Sequence, residues 1–169
     1  MALSQDSQSL LDTSTLHNLS KARVALVYTE WNEKIVAEQL NGFRRIANAF
    51  DVTVTDEIVV PGSFELPFAC RQLWLHYQDA TNIVKPEAII AFGAVIEGGT
   101  PHFTYVCQAV TEGITRLNLE LPIPTIFGVL TLLNEQQAWE RLGGIHGHKG
   151  EEAAITALKM IAMNRQLKK

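Results

Sequence analysis

The 169-residue chain has only two cysteines, Cys70 and Cys107, and neither lies in a Cys-x-x-Cys motif or a Cys/His pattern with zinc-ligand spacing. Disulfide stapling and structural zinc are thereby set aside. Both thiols read as buried, reduced small hydrophobes in helical contexts. No run of 18 or more apolar residues occurs, so the sequence offers no membrane-spanning helix. The N-terminus, MALSQDSQSLLDTSTLHNLS, has neither a basic start nor a long apolar stretch, so it does not read as a signal peptide, and the expected location is the cytoplasm. Positive charge is also scarce: 14 Lys and Arg stand against 18 Asp and Glu, a net charge of −4. Nucleic acid and anionic membrane are therefore not expected as main partners, because phosphate backbones are held by clustered Lys and Arg. Any anion site has to be local. No internal repeat or linker divides the chain.

What is present is an ordinary globular composition, 47% apolar and 19% charged. A chain of this length buries roughly 68–70% of its unfolded surface, enough for a core without cross-links. Residues 1–20, rich in Ser, Thr, Asn, Asp and Gln, read as a flexible arm, and 21–169 as one domain. Apolar runs at 22–28, 52–60, 88–96 and 125–130 read as strands. The segments between and after them carry helical periodicity: about 33–50, 64–77, 104–119, 135–142 and 151–165. Pro67 falls in a first helical turn, Asn134 is placed to cap the short fourth helix, and Trp139 is expected on that helix's inner side. Residues 143–150 read as a Gly/His loop. Alternation of this kind predicts an α/β fold. It is a three-layer α-β-α sandwich around a four-stranded, mostly parallel sheet, with helices on both faces.

Ligands of such sheets collect outside the carboxyl ends of the strands. That rule gathers Trp31 after the first strand, Ser63-Phe64-Glu65 after the second, Glu97 to His102 after the third, and Thr131 to Leu133 after the fourth. Gly98-Gly99-Thr100 ahead of a helix start offers backbone N–H groups and a helix dipole to an anion; a tight turn would use the same residues. His102 is either a proton-transfer group or a solvated capping residue. Glu65 caps a helix or accepts from ligand hydroxyls. Trp31 stacks on a planar heterocycle or covers the core. Arg141 can grip phosphate through two parallel hydrogen bonds, or remain a solvated charge, with Lys149 at the other end of the same loop. His146 and His148 lack a carboxylate or Cys at useful spacing, so no metal is expected.

Six separated motifs in order, Trp31-Asn32, VPGSFELP at Val60–Pro67, GAVIEGGTPHF at Gly93–Phe103, PTIFGVLT at Pro124–Thr131, ERLGG at Glu140–Gly144 and HKGEEAA at His148–Ala154, resemble the 6,7-dimethyl-8-ribityllumazine synthases of riboflavin biosynthesis. The resemblance covers about 22–163. It implies a flavodoxin-like fold, no cofactor, and homopentamers that in some members pair as decamers or close into sixty-subunit icosahedral shells. It implies 5-amino-6-(D-ribitylamino)uracil and 3,4-dihydroxy-2-butanone 4-phosphate as small-molecule substrates, and riboflavin synthase as a partner. By the same resemblance Trp31 stacks over the pyrimidine, Ser63, Phe64 and Glu65 bind the ribityl chain, and the backbone of Ala94, Val95 and Ile96 reads the uracil edge. Gly99 and Thr100 cradle phosphate, and His102 moves protons. Phe127 and Arg141 come from a neighbouring subunit, Phe127 near the ring and Arg141 on the phosphate. Lys149 lies near the pyrimidine, with Glu152 as acidic partner of the cations. The chain departs from the family pattern at Glu97, where Arg or Lys is common, at His148, where Asn is common, at Leu132, where a second Thr is common, and in a longer 78–86 loop. Two other readings share these features: an archaeal-type pentameric riboflavin synthase, and a non-catalytic flavin- or lumazine-binding shell protein.

Overall fold

A computed structural model describes Leu16, residues 19–81 and residues 83–168. Its elements run in the order β1 (Arg23–Thr29), α1 (Glu33–Ala49), β2 (Thr53–Val60), α2 (Leu66–Asp79), β3 (Ala88–Ile96), α3 (His102–Glu120), β4 (Thr125–Leu132), α4 (Glu135–Glu140), β5 (Leu142–Gly144), β6 (Gly147–His148) and α5 (Lys149–Leu167). The main sheet has the order β2-β1-β3-β4, and every pairing in it is parallel. Going out from β1, the chain first builds one side with β2 and then crosses to the other with β3. The switch point therefore lies between β1 and β3, where a crevice opens at the carboxyl ends.

Alternate residues of the central strands face opposite layers. Val24, Leu26, Ala88, Ile90 and Phe92 pack with Val36, Leu40, Phe43 and Ala47 of α1 and with Ala153, Ala154, Ala157, Leu158 and Ile161 of α5. Ala25, Val27, Ile89 and Ala91 pack instead with Leu66, Cys70 and Leu73 of α2 and Val110, Ile114 and Leu117 of α3. This is the expected three-layer sandwich. Its middle strands are apolar without alternation because both faces are covered. β2 differs: as an edge strand it keeps most of its residues exposed or half-buried. Leu16 and Leu19, which fall in the segment read as an arm, are buried in the α1/α5 layer; apart from Ser20, the rest of that segment lies outside the described residues. One carboxylate ties distant parts together. Glu87, just ahead of β3, takes Arg165 Nη2 at 2.7 Å and Arg23 Nη2 at 3.5 Å.

Four local expectations change. Trp139 is exposed, and Ala138 is the buried residue of α4; six residues are too few for a period to show which side faces in. The 143–150 loop is in fact a tight antiparallel hairpin, with Gly143 and Gly147 at φ 106° and 77° supplying left-handed positions at its turn. α3 begins at His102, two residues before the expected start. Cys70 is buried, which pushes its thiol up to about 12, but Cys107 is only half-buried. Asn134 does cap α4, its side chain accepting from Gln137 N at 3.1 Å, and Pro67 does sit in the first turn of α2. Among the described residues no helix is long and apolar enough to cross a membrane.

Candidate active site

The loops after β1, β2 and β3 are tied to one another by backbone groups. Glu30 N donates to Val60 O at 2.8 Å and Trp31 N to Pro61 O at 3.2 Å. Asn32, in a left-handed conformation at φ 61°, reaches across with its amide to Ala94 O at 2.9 Å. The Thr29 hydroxyl donates to Trp31 O at 3.1 Å. This mesh holds Trp31 with 68% of its surface exposed, and Phe64 stands 59% exposed beside it. A large aromatic on a fixed backbone that is left in water is a stacking surface in need of a second ring.

Between them opens a cleft of about 610 Å³ lined by Trp31, Ser63, Phe64, Glu65, Ala94, Val95, Ile96, Gly98, Thr100, His102 and Val106, among others. Gly98, not Gly99, borders it directly. Neither glycine has a positive φ, and a Cβ at either would meet open space. Thus neither chain direction nor packing calls for glycine there. Ser63 is buried, yet its hydroxyl has no hydrogen-bond partner among the described residues. Glu65 accepts from Gly62 N through Oε2 at 3.0 Å, which leaves Oε1 for another donor. His102, the first residue of α3, is exposed at the rim, where the free N–H groups of the helix start also point. No Lys or Arg among the described residues lines this cleft.

The cations stand elsewhere. β4 is the far edge of the sheet, and Thr131 and Leu132 at its end turn away from the cleft, contrary to the strand-end rule applied to the sequence. They line a second pocket of about 530 Å³ with Gln137, Glu140, Arg141, His146, Lys149 and Glu152. A further groove along β4 joins Phe127 to Lys149 and Glu152. In this corner Arg141 Nη1 and Nη2 donate to Glu152 Oε1 and Oε2 at 3.1 and 2.8 Å, and Nη1 also donates to His146 O. Arg141 O accepts from Lys149 N at 2.8 Å, locking the two cationic residues back to back. Burial pushes the Lys149 ammonium below its ordinary value; Glu152 pulls it up, Arg141 pushes it down, and the net direction is downward. So the predicted residues fall into two groups, Trp31 through His102 in the cleft and Phe127, Arg141, Lys149 and Glu152 at the β4 corner. Asn32 and Thr29, which fix the Trp31 loop, were not assigned roles from sequence; the left-handed Asn at a helix start carries no pattern that would mark it. Among the described residues no group of three or more His, Cys, Asp and Glu is arranged to hold a metal.

An all-parallel sheet with an aromatic-rimmed cleft at its switch point defines a flavodoxin-like α/β protein that takes a small polar ligand. A family model described as 6,7-dimethyl-8-ribityllumazine synthase matches residues 21–165. The 6,7-dimethyl-8-ribityllumazine synthase of Parabacteroides distasonis is 40% identical over 163 residues, covering 95% of this chain and 98% of that protein. The protein of the same name from Porphyromonas gingivalis is 43% identical over 145 residues, covering 85% and 86%. That from Bdellovibrio bacteriovorus is 38% identical over 149 residues, covering 88% and 79%. The chain belongs to the 6,7-dimethyl-8-ribityllumazine synthase family.

Proposed function

We propose that the cleft of one copy and the β4 corner of a neighbouring copy together carry out the family's reaction. In it 5-amino-6-(D-ribitylamino)uracil and 3,4-dihydroxy-2-butanone 4-phosphate give 6,7-dimethyl-8-ribityllumazine, one phosphate and two waters. The chain is then an enzyme, a transferase of riboflavin biosynthesis that works without a cofactor. The observation that carries the two-copy reading is the division of chemistry: the cleft has a base, stacking rings and open amides but no Lys or Arg, while both cations sit at the opposite sheet edge. Phosphate needs a cation, so each region is half a site.

The pyrimidine lies between Trp31 and the partner copy's aromatic at position 127, its edge against the backbone of Ala94, Val95 and Ile96. The ribityl hydroxyls meet Glu65 Oε1 and the Ser63 segment, where the buried, unpartnered Ser63 hydroxyl lies just beneath the cleft surface, with Phe64 along the chain. Phosphate sits on the amides of Gly99 and Thr100 at the start of α3 and takes the neighbour's Arg141, which Glu152 holds in line; the neighbour's Lys149 faces the pyrimidine. The pyrimidine's amine attacks the ketone, a C–N bond forms, and water leaves as the imine appears. His102 takes a proton from the carbon beside the imine, and the electron pair expels phosphate. The resulting enol becomes a ketone, the ribitylamino nitrogen adds to it, and the second water leaves as the ring closes. Holding the reactants aligned supplies up to ~7–11 kcal/mol in such reactions, and a placed acid-base group a further ~10²–10⁴-fold.

A homopentamer, with 21–169 as a single domain in each copy, supplies such neighbours; decamers and sixty-subunit icosahedral shells repeat the same contact. We place the enzyme in the cytoplasm, where riboflavin synthase takes up its product. The riboflavin synthase and carrier readings are not favoured, because neither has a phosphate for the Gly99–Thr100 amides and Arg141 to hold. The test is subunit complementation. H102A and R141A are each nearly inactive alone; unfolded and reassembled together in equal amounts, they recover roughly a quarter of wild-type activity, because random neighbours rebuild that share of sites. No recovery on mixing, with both variants assembled, places the whole site in one chain and defeats the reading.

A further inference from the structure

We infer that His148 is a positioning residue, clamping the Arg141–Lys149 pair into place from the side of α1. The inference rests on the reading that Arg141 and Lys149 hold substrate. His148 is buried, unlike the exposed His102 and His146. Its Nδ1 accepts from Gly150 N at 3.2 Å, capping α5 at its first turn, and its Nε2 lies 3.2 Å from Glu38 Oε1 on α1. A backbone N–H can donate only to an unprotonated ring nitrogen, so the imidazole carries its proton on Nε2 and donates it to the carboxylate. Glu38 is in turn held by Arg45 at 3.4 Å, and Arg45 by Glu151 of α5 at 2.8 Å, so the bridge between the two helices is closed on both sides.

The same residue reaches both cations through the backbone. His148 pairs with Leu142 in the β5–β6 hairpin, next to Arg141, and Lys149 follows it directly. Lys149 N donates to Arg141 O. A displaced imidazole would release the α5 cap, the hairpin register and the link to α1 together, and each of these fixes where Arg141 and Lys149 emerge. The seat for the ring is made by Gly42. A Cβ there would overlap the imidazole, so α1 carries a mid-helix glycine, at a cost in helix propensity, opposite this buried ring. Gly42 itself lines neither pocket of the site.

The test uses the assembled enzyme and steady-state kinetics in both substrates. H148A should raise the KM for the phosphate-bearing substrate about tenfold or more, the scale of a small misplacement of binding groups. G42A, which crowds the ring without touching the site, should do the same. H148N keeps the α5 cap but is too short to reach Glu38, so its KM should fall between those of wild type and H148A. The double variant G42A/H148N should match H148N alone, since Asn leaves room for a Cβ at position 42. Wild-type KM in both H148A and G42A overturns the inference, as does a fall in kcat with KM unchanged, which is the mark of fewer folded sites. R141A and K149A serve as controls. If neither changes KM, the reading of the corner as a substrate site fails; if they do and H148A and G42A do not, only the positioning role of His148 fails.

Discussion

In the cleft, Trp31 and Phe64 stand in water, the Ser63 hydroxyl has no partner among the described residues, and Gly98 and Gly99 face open space. At the β4 corner the charged groups are engaged: Arg141 is spread over Glu152 and His146 O, Lys149 is half-buried beside them, and His148 is fastened to Glu38 and Gly150. One region is left open where its ligand's rings and hydroxyls must enter. The other is braced before any ligand arrives. The difference follows from the charges involved. A long cation left loose forfeits rotamer entropy on binding, whereas an arginine already held by a bidentate carboxylate has been ordered during folding. Glu152 therefore trades some of the corner's positive charge for aim.

The comparison breaks most readily at Arg141. R141A should cost about 10³-fold in kcat/KM, because it removes a charge-assisted grip on phosphate and leaves Glu152 unanswered. H102A in the cleft should cost about 10²-fold, since alignment survives the loss of one proton-transfer group. Steady-state rates on both variants check the order, and equal losses would mean that the two regions do not divide binding and proton transfer as argued. A middle-sized effect sharpens the electrostatics. Glu152 raises the pKa of Lys149 against burial and Arg141, so E152Q lets the ammonium lose its proton at lower pH. The alkaline limb of the kcat/KM profile then moves to lower pH; a limb that stays where it was would show that the Lys149 charge is not used. The smallest effect is structural. G98A fills open space at an ordinary backbone conformation and should shift stability by no more than about 0.5 kcal/mol, read as an almost unchanged Tm. Any activity it loses then belongs to the ligand.

The layers of the sandwich were legible in the sequence because continuous apolar strands and amphipathic helices alternate at the right lengths. The residues after β1, β2 and β3 fell into one cleft because the strand-end rule is a rule about parallel sheets. It misled at β4, where Thr131 and Leu132 serve a different pocket: the rule gives the end of the sheet but not which strands flank the crevice, and β4 lies one strand away from the switch point. The split between cleft and corner came from resemblance and not from spacing. The hairpin at 142–148 escaped notice because LGGIHGH has no alternation to reveal two strands this short. Trp139 was expected on the inner side, whereas the neighbouring Ala138 is the residue of α4 that packs inward, with Ile35, Ala94, Leu130, Leu132 and Leu142.

Glu87 is the point at which β1, the start of β3 and α5 are joined, and its second arginine belongs to α5. During synthesis that partner leaves the ribosome only after every strand of the main sheet. Until then the sheet surface formed by Ala88, Ile90 and Phe92 lacks the alanine-rich cover that Ala153, Ala154 and Ala157 provide. The nascent chain thus emerges with one greasy flank covered by α1 alone, and premature termination before α5 leaves a sticky fragment rather than a shortened enzyme.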